Sequence, residues 1–277
     1  MTTSRRMSRR VGATARLSRL ALLALAAACL AGCQAYNAAL GSGTAVTASD
    51  ATRMTRSGFL SDYARLKPAA GLDGIECWRD AALDPKRYDK AMVSRIVVSL
   101  APAKNAAPST VDPSDLKTLT DYFYRSLQTA LQANMQVVEQ AGPGVVVIRV
   151  ALTDLVPTGV AESVTGTLVP YAFIAEAGSG VATGRPAGST PYLGQTGMEM
   201  QFRDGAAGKV LAECRDTEIG RKYAADVDNG TAGAAQTWAN GYMSSFQSWA
   251  YARNAFDKWS LLVARRLAEL RGAGGAP

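Results

Sequence analysis

The chain contains no histidine. That removes Ser-His-Asp and Cys-His nucleophile systems and every histidine-ligated metal centre. No glycine-rich stretch ends in the Gly-Lys-Ser/Thr that a phosphate loop needs. Basic runs are confined to pairs such as Arg221-Lys222 and Arg265-Arg266, which read as solvated faces. A nucleic-acid footprint needs a basic patch or stripe, so nucleic acid is not an expected partner. Long apolar runs are missing too, apart from the uncharged run Leu20 to Leu30. As a helix it would rise about 16 Å, roughly half of a bilayer's hydrocarbon core, too short to span.

What is present at the front is therefore a targeting segment. The first 19 residues hold Arg5, Arg6, Arg9, Arg10, Arg16 and Arg19 and no acid. A basic start, a short apolar run and small residues at its end describe a secretory signal. The run ends in Leu30-Ala31-Gly32-Cys33, which resembles a bacterial lipobox. In that resemblance the Cys33 thiol takes diacylglycerol and a peptidase cuts before it. The chemistry is legible in the residues: the thiol is the nucleophile, and Ala31 and Gly32 are small enough for a tight protease cleft. Two or three acyl chains then hold the protein on a membrane, since each buried methylene contributes about 0.8 kcal/mol. Gln34, where an aspartate would favour inner-membrane retention, points by resemblance to the outer membrane. The alternative is an ordinary secretory signal with Cys33 free.

Removing residues 1–32 changes the charge. Six of the 30 basic residues lie in that segment, leaving 24 against 23 acids. Cys29 leaves with the signal and Cys33 takes lipid, so Cys77 and Cys214 remain in an oxidising compartment. They are a disulfide candidate, the alternative being two separately buried thiols. As a bridge they would close a loop of 137 residues, worth roughly 5 kcal/mol by chain entropy. They are too few and too distant for a zinc site, and no metal or cofactor is expected.

Residues 33–57 are small and polar and read as a lipidated flexible tether. Residues 58–272 read as one periplasm-facing α+β domain. Phe59, Leu60, Tyr63 and Leu66 have roughly helical spacing before Pro68. Residues 71–90 read as irregular, and Ile96 to Leu100 as a strand. Asp112 is an N-cap with Pro113 behind it, and an apolar stripe from Leu116 to Leu131 predicts a helix over about 113–133. Short and long strands follow at 135–139 and 145–154. Residues 158–197, rich in Gly, Ala and Thr, are the expected contact surface or a mobile excursion. From 198 to 219, Met198, Met200 and Phe202 alternate with Glu199, Gln201 and Arg203, which predicts a β-hairpin with one core face. Phe256, Trp259, Val263, Leu267 and Leu270 predict a C-terminal helix over about 255–271, with Asn254 as cap. The expected fold is a small, mostly antiparallel sheet packed against these two helices.

The motifs "SGFLSDYARLKP", "YDKAMV", "MEMQFRDGAAGKVLAECRD" and "NAFDKWSLLVARRLAEL" together resemble the bacterial lipoprotein family labelled domain of unknown function 3313, over about residues 56–271. Cys214 stands where that family more usually has a small residue. The resemblance implies a periplasm-facing lipoprotein and no activity, so no catalytic residue follows from it. The functional expectation is a non-enzymatic binding or assembly module on an outer-membrane anchor, with an envelope protein or the cell wall as partner. A carrier of small apolar ligands or lipids would instead need a large apolar cavity against the sheet. A carboxylate-dependent cell-wall hydrolase would need two acids converging in a cleft.

Overall fold

The computed structural model describes residues 46–48, 54–70, 72, 74–100, 111–162, 179, 182, 189, 190, 192–221, 235, 239, 240, 242–245 and 247–272. In chain order the strands are β1 (Val46–Ala48), β2 (Lys67–Pro68), β3 (Glu76–Arg79), β4 (Lys90–Val93), β5 (Val97–Val98), β6 (Gln136–Val137), β7 (Val145–Val156), β8 (Gln195–Asp204) and β9 (Val210–Gly220). Two long helices are α1 (Pro113–Gln132) and α2 (Ala250–Leu270).

Among the described residues all nine strands join one sheet, in the order β2-β3-β9-β8-β7-β4-β6. β1 pairs β9 beyond the end of β3, and β5 pairs β7 beyond the end of β4. Pairings among β7, β8, β9, β3, β2 and β1 are antiparallel; β4 and β5 run parallel to β7. The architecture is α+β as expected, with more strands than the sequence suggested. β7 is central because its Val- and Ile-rich run tolerates burial on both sides. Gly208, at φ +69°, makes the backbone turn that joins β8 to β9.

α1 begins as its sequence dictates. The Asp112 carboxylate accepts from the Ser114 amide at 2.7 Å, and Pro113 occupies the first turn. Leu119, Phe123, Leu127 and Leu131 are fully buried at four-residue intervals. Phe123 stacks on Phe256 of α2 with ring centroids 4.5 Å apart, and both meet Trp259. α1 and α2 thus lie side by side on one face of the sheet, and the core fills the space between, with Ile148, Val150, Leu152 and Met200 from the strands.

Five expectations need correction. Residues 58–66 are not helical; they form an irregular strap across the other face of the sheet, because their polar groups are claimed by buried strand residues. Residues 71–90 contain β3 and the start of β4. α2 starts at Ala250, without a side-chain cap, so Asn254 lies inside it. The hairpin of β8 and β9 is covered on both faces: Glu199, Gln201 and Glu213, on the side predicted to face solvent, are 0%, 1% and 0% exposed. The strand at Val46–Ala48 and the bonded residues Thr55 and Ser57 also lie within the segment expected to be tether.

Candidate functional site

The two faces of β8 and β9 are built from opposite chemistry. On the strap face, Ser57 donates to Glu199 through its amide at 3.0 Å and its hydroxyl at 2.6 Å. The Tyr63 hydroxyl reaches both Glu199 oxygens, at 2.8 and 2.9 Å. Four residues after Ser57, Ser61 repeats the arrangement on the neighbouring strand: its amide and hydroxyl donate to Glu213 at 2.8 and 2.9 Å. Arg65 and Gln201 complete the Glu213 shell, at 2.7 and 2.6 Å. Burial pushes Glu213 up, but these donors outweigh it and hold the carboxyl below its ordinary value. Arg65 also lies on the Trp78 ring, 3.4 Å from its centroid, and Arg215 pairs with Glu76 at 2.7 Å. The serines and tyrosine of "SGFLSDYARL" are therefore the acceptor-matched face of a strap. These acids are bound by the chain itself.

On the helix face, Asp216 and Glu218 are 1% exposed. The Trp259 indole donates to Asp216 at 2.8 Å, and Lys258 forms an ion pair with Glu218. Among the described residues, Glu218 Oε2 and the hydroxyl of Thr196, its register partner on β8, have no hydrogen-bond partner. Burial raises Glu218 well above the ordinary carboxylate value, and the charge of Asp216 raises it further; burial raises Asp216 as well.

Beside this dyad, the C-terminal half of α2 stands off the sheet and leaves a cavity of about 440 Å³. Trp259, Leu262, Val263, Leu267 and Leu270, at three- and four-residue spacing, form its roof. Met198, Met200, Phe202, Ala212 and Leu211 form the floor, and Met135, Tyr88, Leu83 and Ile75 close the sides. Three methionines in the wall give it an adaptable, polarizable surface. The exposed members of the lining, Arg79, Arg266 and Leu270, mark its mouth. The size falls within the range of small-molecule sites.

Cys77 and Cys214 are disulfide-bonded, directly opposite each other on β3 and β9 with Cα atoms 4.1 Å apart. The bridge forms part of the cavity floor, so this expectation is met and gains a position. Cys33 and the expected signal segment lie outside the described residues, as do most of 163–188 within the expected contact surface. Among the described residues no group of three or more Cys, Asp or Glu side chains could hold a metal, and no helix is long and apolar enough to cross a membrane. Sequence reasoning missed the cavity, because a stripe of apolar residues on α2 looks the same over a cavity as over a core. It also missed the two clasped glutamates. The available signal was the pairing of two serines, four apart, with acids on two successive strands.

The chain belongs to the family described as protein of unknown function (DUF3313), whose model matches residues 55–262. No curated protein matches it. Among solved structures it is similar to two PelC dodecamers from Paraburkholderia phytofirmans, a single-residue variant and a second crystal form. Identities are 14% and 12%, with TM-scores of 0.30 and 0.29, each over 63% of this chain and 96% of that chain.

Proposed function

We propose that this protein is a lipid-anchored, non-enzymatic binding module of the cell envelope, facing the periplasm from the outer membrane. Its cavity holds a small apolar ligand or a lipid chain. The cavity between α2 and β8–β9 is the observation that carries this reading: its wall is apolar and it opens to the surface. It favours the ligand-carrier form of the binding module over docking by surface contact alone. A cavity of this kind, with few polar groups, suits shape-led binding of hydrocarbon. The anchor rests on the arginine-rich signal and on Cys33. No catalytic step belongs to the proposal, since the clasped acids Glu199 and Glu213 already have their hydrogen bonds made by the strap.

Three experiments test the parts separately. Cys33→Ala is expected to leave the membrane fraction; persistent attachment contradicts the anchor. Organic extraction of the purified protein, followed by mass spectrometry, is expected to release an apolar ligand from wild type and much less from Val263→Trp, which narrows the cavity. Equal recovery from a folded Val263→Trp variant contradicts the site. Delivery of such a ligand needs a partner in the envelope, a protein or the cell wall. In-cell cross-linking beside Cys33→Ala is expected to capture a protein partner that depends on membrane position.

A further inference from the structure

The charged members of the cavity lining are all of one sign. Arg79, Arg266 and Arg271 line it, and no carboxylate does. Two of them are occupied: Arg266 pairs with Glu269 at 2.8 Å and donates to the Ala70 carbonyl, and Arg271 donates to the Asn134 carbonyl. Arg79 is different. It is exposed at the end of β3 and takes part in no ion pair among the described residues. The contrast with the opposite face of the sheet is sharp, because Arg65 of the strap and Arg215 of β9 both hold buried or half-buried glutamates. β3 alternation puts Cys77 and Arg79 on the cavity side and Glu76 on the strap side, while Trp78, under Arg65, also reaches the cavity lining. Arg79 thus offers an unused guanidinium beside a hydrocarbon-lined space.

We infer that the ligand is a single-chain amphiphile with an anionic end, its chain between α2 and β8–β9 and its carboxylate or phosphate on Arg79. This rests on the cavity being a binding site. Volume sets the chain count. At roughly 30 Å³ per water-sized group, about 440 Å³ holds on the order of fifteen such groups, one acyl chain rather than two. A planar guanidinium suits a carboxylate or phosphate because it can bind two oxygens at once.

The test uses the full protein in phosphatidylcholine nanodiscs. The probes are hexadecanoate carrying a diazirine at its chain end, and the methyl ester of the same molecule. Labelling by the acid is expected to map to peptides containing Met198 and Met200 or Leu262 to Leu267. The ester, and the acid on Arg79→Gln, are expected to label about tenfold less, the loss of one charge-assisted hydrogen bond. Competition by lysophosphatidylglycerol against unlabelled hexadecanoate then tells a phosphate headgroup from a free carboxylate. Equal labelling by acid and ester, unchanged in Arg79→Gln, overturns the anionic end and leaves the apolar site standing. No labelling of these peptides by either probe, or undiminished labelling of a folded Val263→Trp, overturns both.

Discussion

Glu213 and Glu218 stand on the same strand, both buried to within 1% of full exclusion from solvent. Odd spacing sends them to opposite faces of the sheet, and their surroundings then diverge. Glu213 meets a backbone amide, a hydroxyl, a carboxamide and a guanidinium. Glu218 meets one ammonium and a second carboxylate, Asp216. The first is held below its ordinary value and the second well above. Four donors offset the desolvation of Glu213, whereas Glu218 is more deeply desolvated, has the Asp216 carboxylate beside it and receives fewer donors, so surroundings rather than residue type decide the charge state.

The comparison breaks most visibly by truncating the two acids. Glu213→Ala strips the acceptor from four donors and leaves Arg65 without its counter-ion. It is expected to cost about 3–5 kcal/mol, read as a fall in the urea midpoint. Glu218→Gln keeps the shape and replaces a group that favours its neutral form, with Asp216 left to balance Lys258. Its expected cost is under about 1 kcal/mol. A larger loss at Glu218 than at Glu213 would contradict the donor argument.

Removing the bridge comes next. Cys77→Ala with Cys214→Ala frees β3 from β9 and is expected to cost about 2–5 kcal/mol. It should also loosen the strap, since Trp78 and Glu76 come with β3. Hydrogen exchange at the Ser57 and Ser61 amides reads that loosening directly.

The pH dependence should have two limbs with separate owners. Glu213 has a lowered folded value, so its contribution is present above the ordinary 4.5 and lost as pH falls through the folded value. Asp204 acts in the same sense, held down first by the Ala207 amide and then by the Tyr88 hydroxyl. Glu218 and Asp216 have raised values. Their contribution is complete below the ordinary carboxylate range and is lost as pH rises through the folded values. Urea midpoints across pH should therefore decline on both sides of a maximum. Glu218→Gln should flatten the high-pH limb and leave the low-pH limb unchanged.

One substitution bears on the helix-face side alone. A Cβ at Gly220 would stand 2.6 Å from the buried Tyr251 ring of α2. Gly220→Ala is expected to cost about 1–3 kcal/mol through overpacking, measured by thermal melting, with no change at the strap amides.

Much of this was legible beforehand, and the failures share a cause. α1 was readable because its cap, proline and four-residue ladder all act locally. β8 and β9 were readable because period-two alternation flags a strand whatever covers it. What covers it was not readable. Glu199 and Glu213 look like solvent-facing acids until Ser57 and Ser61, more than a hundred residues earlier, are laid across them. The same limit hid the cavity: Val263 and Leu267 announce an apolar face on α2, while the distance from that face to Met198 and Met200 is set by how Phe256 and Trp259 pack against α1. β3 escaped notice because "ECWR" is four residues long and its main partner, β9, lies more than a hundred residues away.

The most direct measurement is a crystal structure of the protein purified from the cells that make it without added lipid. Elongated density between α2 and β8–β9, touching Met198, Met200 and Val263 and ending at Arg79, is the expected result. Finding the C-terminal half of α2 seated on Phe202 and Ala212, with no space between them, would contradict the binding site.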